Sequence, residues 1–323
     1  MSTNVGSKTL IKKKKFKIPE GLGAVVPLAV LIILLAIFTD TFLTADNLVG
    51  VLRQAAVYAI MAVGMTFVII TGGIDLTQGS LLAFCCVTAG YTINGTNNIV
   101  LGIIVAVISG TAVGLLNGIV IAYVKIPPFI MTLGGLYAYR GLTLMLTKST
   151  QISVPNEAFR VIGTGYFLGI PIPVYIFIVV GIIAHIFLTR TATGRYIFAI
   201  GSNVDTARLS GVRVEKTYII AYMLSGLCIG IASVVYLARL GAAQPTAGQS
   251  YEMEAVAATV IGGTSIAGGE GGIIGTLIGA VIIAIIRNGL VLIGVGSYWT
   301  QIVVGLIIIG AVSLDVTRRR LAK

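Results

Sequence analysis

The chain has 323 residues, 57% of them hydrophobic and 10% charged, with a mean hydropathy of +1.02 and a formal net charge of +11. A soluble domain carries about a quarter charged residues, so this composition excludes a water-soluble globule and requires a bilayer as solvent. The positive charge collects at the two ends and in one loop, which excludes nucleic acid as its partner and fits anchoring on one membrane face.

A basic head, residues 1–23, carries Lys12 to Lys15 and Lys17. It precedes the apolar run Ala24 to Phe38, with no small-residue cleavage pattern after it, so the run reads as a first span rather than a removable leader. A crossing helix needs about 20 apolar residues. By that measure the predicted spans are 24–43, 54–72, 79–95, 99–124, 128–147, 171–189, 217–238, 253–263, 272–292 and 298–316. The expected fold is an all-α polytopic transmembrane bundle of about ten spans, some of them broken or re-entrant. Residues 24–316 form the membrane domain, and 317–323 a basic tail.

Placing the N-terminus inside and alternating sides puts the head, Lys125, the 190–216 loop and the tail in the cytoplasm. Those segments hold six, one, five and four of the 22 Lys and Arg residues. The inverted topology would reverse that bias, so both termini are expected in the cytoplasm.

The second predicted span ends in Gly72-Gly73-Ile74-Asp75-Leu76-Thr77-Gln78-Gly79. Asp75 is the only acid between Asp46 and Glu157. An ionisable group there is costly unless paired or wet. It is either a polar group on a pathway, or a latch at a helix terminus, or a solvated acid near the cytoplasmic edge that caps the next helix. Cys85, Cys86 and Cys228 lie in apolar runs without metal-ligand spacing, and read as packing residues. Gly110, Gly114 and Gly118 repeat every four residues in the fourth span, as do Gly275 and Gly279 in the ninth, the spacing of close helix packing. Asn117, Arg140 and Arg287 lie within spans, where polar residues face the bundle interior; Asn117 is the better pathway candidate, and the alternative for Arg140 and Arg287 is snorkelling at outer span ends.

Two polar segments, Thr147 to Pro173 and Leu240 to Glu252, are expected outside. His185, the only histidine, reads as interfacial packing. The 190–216 loop contains Gly194-Arg195-Tyr196 and then Asn203 to Gly211. It predicts a short amphipathic helix on the cytoplasmic face, capped by Ser202 or Asn203 and stopped by Gly211. That helix would press on a soluble partner or lie on lipid. The eighth span runs into Gly262-Gly263-Thr264-Ser265 and Gly268-Gly269, a second helix break. It resembles the first, which hints at internal duplication, and interrupted helices in corresponding halves point to a transport pathway. Glu252 and Glu254 read as helix-start charges. The chain has no phosphate-binding loop of the G-x-x-x-x-G-K-[ST] kind, so any ATP is expected on another subunit, and no cofactor or metal is expected.

Several of these motifs together are similar to a known family. Gly72-Gly73-Ile74-Asp75-Leu76-Thr77 resembles the Gly-Gly-Ile-Asp-Leu-Ser signature of ribose-type ABC importer permeases, within the branched-chain amino acid and ribose permease superfamily. Ala243-Gln244-Pro245-Thr246-Ala247-Gly248, Glu254-Ala255-Val256-Ala257-Ala258 and Gly262-Gly263-Thr264-Ser265 resemble it too, and the likeness covers nearly the whole chain after residue 24. Asp205-Thr206-Ala207 followed by Gly211 resembles the Glu-Ala-Ala-x-x-x-Gly pattern with which importer permeases dock on their ATPase, departing from it at Asp205 and Thr206. The resemblance implies an ATPase-coupling helix made by Asn203, Asp205, Thr206, Ala207, Arg208 and Gly211. It also implies a cytoplasmic ABC ATPase, an extracytoplasmic sugar-binding protein, a second permease copy and no reaction on this chain.

Two other classes compete. An ion-coupled secondary transporter would fit Asp75 and the broken helices, but the spans lack a chain of buried acids. An integral-membrane enzyme would need a titratable cluster at one depth, and the sequence offers none.

Overall fold

In a computed structural model the described residues are 24–294, together with 296, 299, 301–303, 305, 306, 309, 310 and 313. The predicted basic head, the basic tail and most of the last predicted span, 298–316, lie outside them.

The chain forms α1 (Val25–Phe38), α2 (Ala45–Ile70), α3 (Gln78–Thr96), α4 (Ile99–Ile119), α5 (Pro128–Thr147), α6 (Glu157–Thr164), α7 (Ile172–Arg190), α8 (Ala192–Ser202), α9 (Val204–Leu209), α10 (Val214–Leu240), α11 (Tyr251–Ile261) and α12 (Ile273–Leu292). Among the described residues four two-residue strands make two small antiparallel pairs. β1 (Ile152–Ser153) pairs with β4 (Ala242–Ala243), and β2 (Tyr166–Phe167) with β3 (Ile170–Pro171). The molecule is a polytopic helical membrane protein. Among the described residues six helices are long and apolar enough to cross a bilayer: α2, α4 with its continuation to Val124, α5, α7, α10 and α12. Three further predicted spans become a 14-residue helix (α1), a 19-residue helix (α3) and an 11-residue helix (α11).

Local chemistry sets the ends. α4 starts where the Asn98 side chain accepts from the Leu101 amide, because the first turn of a helix has free N–H groups. It finishes in a π-helical turn, Val120–Val124, and Lys125 at φ +62°. Pro127-Pro128 then restarts the chain as α5, with proline in the first turn. α10 stops at Gly241, φ +68°, a left-handed residue that glycine adopts without strain.

α2 and α10 form the centre of the bundle, and α2 is buried continuously from Ala55 to Ile70. The small-residue stripes explain the packing. Gly110 and Gly114 face Gly226 and Gly230 of α10, and Gly118 faces Ile219. Neither helix has room there for a Cβ, so α4 and α10 touch backbone to backbone. Gly275 and Gly279 do the same against Ala258 of α11 and Gly262 just after its end. α12 also lies on α2, α3 packs on α4, α5 and α10, and α7 packs on α2. All three cysteines are free and buried.

Candidate functional site

The chain brings two groups of predicted residues into defined places. The first surrounds the break between α2 and α3. α2 ends because Gly72 turns left-handed, φ +83°, while the Thr71 hydroxyl donates to the Val68 carbonyl at 2.7 Å. Residues 71–77 then fold back along α2 into the bundle. Gln78, at the start of α3, donates through Nε2 to the Met61 carbonyl at 3.3 Å. Met61 lies about 13 Å along α2 from Ile70.

This depth corrects the expectation of a solvated acid at the membrane edge. Asp75 is 1% exposed. Its Oδ1 accepts from the Thr77 amide at 3.1 Å and the Thr77 hydroxyl at 2.5 Å, and its Oδ2 accepts from the Ser225 hydroxyl at 2.7 Å. The Thr77 contacts form a side-chain turn just before α3, and among the described residues no side chain caps the free amides of its first turn. Burial replaces water with protein donors, as a polar group in a dry bundle requires.

The cluster is longer than the sequence indicated. Tyr139 donates to Asn117 Oδ1 at 3.0 Å, and Asn117 Nδ2 donates to Thr77 Oγ1 at 3.3 Å. From the other side, Gln78 Nε2 donates to Ser225 Oγ at 3.0 Å. The Thr132 hydroxyl donates to the Ile74 carbonyl at 3.1 Å. Asp75 and Asn117 therefore meet through Thr77, and α2, α3, α4, α5 and α10 all contribute to one network. Ser225 and Tyr139 escaped the sequence reading because a hydroxyl inside an apolar run leaves no periodic mark, and Gln78, though it stands in the first break, was given no role there.

The second break is Gly262 to Gly272. Gly263 takes φ +94°, and the Thr264 and Ser265 side chains are buried. Gly262, Gly263, Thr264 and Ser265 do not join the Asp75 cluster. They pack at the start of α12, where Gly262 lies on Gly275. The two breaks nevertheless touch, since the Gly269 amide donates to the Ile70 carbonyl at 2.9 Å.

The second group lies on the surface. The short helix predicted between Asn203 and Gly211 is α9, and a further helix that the sequence reading did not place, α8, precedes it. The Thr191 side chain caps α8 by accepting from Gly194 N. The Asn203 side chain caps α9 by accepting from Thr206 N at 2.8 Å. Ala207 is buried with Ile200 and Val214, while Asp205, Thr206, Arg208 and Leu209 face outward. Leu209 is 90% exposed. Arg208 pairs with Glu215 at 2.9 Å, and Gly211 stops the turn at φ +83°. A cavity of about 260 Å³ opens beside α9, lined by residues that include Lys125, Pro127, Arg208, Glu215 and Tyr218.

The end of α8 reaches both breaks. Gly201 lies directly against the Ile70 carbonyl and the Gly269 amide, and a Cβ on Gly269 would meet Ser202. Surface helix, first break and second break thus share one junction of backbone atoms.

Several remaining readings need correction. Arg140 and Arg287 do not snorkel. Arg140 donates to the Pro245 and Ala247 carbonyls at 2.6 and 2.8 Å. Arg287 forms an ion pair with Glu254 and lies over the Tyr58 and Tyr251 rings, 5.7 and 5.5 Å from their centroids. Glu252 and Glu254 do stand in the first turn of α11, but both are buried. The two polar connectors are clasped together by the β1–β4 pair. Among the described residues no group of His, Cys, Asp or Glu could hold a metal ion.

Residues 47–312 match the family described as "Branched-chain amino acid transport system / permease component". The chain is 42% identical over 299 residues to the ribose import permease protein RbsC of Bacillus subtilis (strain 168), covering 92% of each chain. It is 42% identical over 296 residues to RbsC of Escherichia coli (strain K12), covering 90% of this chain and 92% of that one. It is 37% identical over 291 residues to the D-allose transport system permease protein AlsC of Escherichia coli (strain K12), covering 88% and 89%. No solved structure matches the chain.

Proposed function

The chain belongs to the branched-chain amino acid transport system / permease component family, and from that premise we propose that it is the membrane-spanning subunit of an ATP-driven importer for a monosaccharide, ribose or a close relative. The observation that carries the reading is similarity over about nine-tenths of the chain to permeases named for ribose import. Xylose and allose permeases match at lower identity. That order favours ribose among sugars.

The mechanism follows from the junction at Gly201. A cytoplasmic ATPase takes hold of α9 through the outward face of Asp205, Thr206, Arg208 and Leu209. Closure of two such ATPases on ATP pushes α9 and, through Asn203, the end of α8. Gly201 bears on Ile70 and Gly269 through backbone atoms, and Ser202 bears on Gly269 through its hydroxyl and backbone, so a shift of α8 moves both breaks together. The Asp75 network holds the first break to five helices, and Asp75 and Asn117 act as its joint rather than as sugar ligands. Gly72, Gly73, Gly262 and Gly263 supply the bends, and Thr264 and Ser265 line the second. ATP binding favours one arrangement because the closed ATPase pair fits only that arrangement of the two α9 helices. A binding protein delivers the sugar on the far side, and a second permease copy completes the path. No covalent chemistry takes place on this chain.

The test is uptake of radiolabelled ribose into proteoliposomes holding the chain with its ATPase, the binding protein being added outside. Uptake is expected to require ATP inside and the binding protein outside. Uptake by the chain alone, driven by an ion gradient, would overturn the reading in favour of a secondary transporter.

A further inference from the structure

At the β1–β4 end of the bundle a hairpin carries large apolar side chains that are exposed among the described residues. β2 and β3 pair around Leu168 and Gly169, both at positive φ. Tyr166, Phe167, Leu168 and Ile170 are exposed, Leu168 by 84%. A contiguous apolar tip of this kind marks a contact surface.

Its position says what covers it. The Arg53 guanidinium stands 4.8 Å from the Tyr166 ring and donates to the Thr164 carbonyl, which pins the hairpin to the first turns of α2. The Phe167 ring meets Tyr175 of α7 edge-on at 5.7 Å, and the Tyr175 hydroxyl donates to the Phe167 carbonyl at 3.0 Å. Tyr175 shares a helix face with Val179, Ile182 and Ile186 by three- and four-residue spacing. Those three side chains are exposed on the bundle surface, and on a membrane-spanning helix such a face is turned to lipid. Arg190 ends α7 at the opposite side. Tyr175 is about 22 Å from it along the helix, within a hydrocarbon layer of about 30 Å. The hairpin therefore continues the lipid-facing stripe at the upper edge of that layer. From Gly165 to Thr189 the chain carries no Asp, Glu, Lys or Arg, so nothing charged separates the tip from the span.

We infer that the 166–170 hairpin is a lipid anchor. Its Tyr166, Phe167 and Leu168 side chains enter the boundary between headgroups and acyl chains of the leaflet at the β1–β4 end. Aromatic side chains favour that boundary, and the anchor fixes the depth of α7 through Tyr175 and of α2 through Arg53. The partner is phospholipid and not a soluble protein, because the tip is continuous with a surface already in the bilayer.

The experiment places a tryptophan at the tip of the full chain in phospholipid nanodiscs. Trp299, the only tryptophan, is first replaced by Trp299→Phe, and Leu168→Trp and Phe167→Trp are compared. Both probes are expected to emit at short wavelength, to lose emission with phospholipid brominated near the glycerol end of its acyl chains, and to resist aqueous iodide. Loss of emission to iodide with none to brominated lipid would overturn the inference. Resistance to both quenchers would place the tip against protein and overturn it equally.

Discussion

Asp75 is approached by hydrogen-bond donors from two directions, Thr77 with Asn117 behind it and Ser225 with Gln78 behind it. Removing the carboxyl leaves two buried hydroxyls without an acceptor, which costs about 2 kcal/mol. Asp75→Ala is expected to lower the thermal midpoint of the purified chain and to reduce ATP-driven uptake. Asp75→Asn keeps an acceptor and is expected to recover most of the midpoint, which differential scanning fluorimetry in detergent would read. The Arg287–Glu254 pair gives a second prediction at this scale. Glu254 is 2% exposed, and stranding it by Arg287→Met is expected to destabilise by about 3 kcal/mol. Adding Glu254→Leu is expected to restore stability, so a double-mutant cycle should show strong positive coupling. Independent, additive losses would mean that the two side chains do not pair. The sequence marked Asp75 because an acid between apolar helices is conspicuous. It could not mark Ser225 or the partner of Arg287, since those contacts join residues 150 and 33 positions apart.

Helix limits were legible where apolar runs end in proline or glycine. The predicted span 128–147 coincides with α5, whose start is set by Pro128. α2 begins at Ala45, nine residues before the predicted 54, because its first turns contain Asn47, Arg53 and Gln54. Asn47 and Arg53 find partners on distant segments that hydropathy cannot see. Asn47 exchanges hydrogen bonds with Asn288 at 3.0 and 2.7 Å, and Arg53 reaches Thr164. The glycine stripe of α4 was readable as packing, but not its partner, because Gly226 and Gly230 of α10 are recognised as the other half only once the helices are side by side. Gly114 has a prediction of its own. A larger side chain there meets the α10 backbone at Tyr222 and Gly226, and overpacking of this kind costs about 1–3 kcal/mol. Gly114→Leu is expected to shift the chain toward aggregates in size-exclusion chromatography, whereas Gly134→Leu, with open space around it, is expected to leave the profile unchanged.

Across the whole molecule the proposed motion passes through Gly201. An added methyl there collides with the Ile70 carbonyl, so Gly201→Ala is expected to keep ATPase binding while lowering uptake per ATP hydrolysed. Equal loss of ATPase binding and uptake would count against transmission through this junction. At the surface, Gly211 holds φ +83°, which proline, fixed near −65°, cannot adopt. Arg208→Glu combined with Gly211→Pro is expected to abolish co-purification of the ATPase while membrane insertion persists. The sequence indicated both breaks and the surface helix separately. Their meeting was not legible, because a backbone-to-backbone contact between Gly201, Ile70 and Gly269 is carried by the absence of side chains. The burial of Cys85, Cys86 and Cys228 has a practical corollary for sidedness. The native thiols are screened from bulky maleimides, so a single engineered cysteine at Leu209 reports its own compartment without a cysteine-free background, and a membrane-impermeant reagent applied to right-side-out vesicles should spare it.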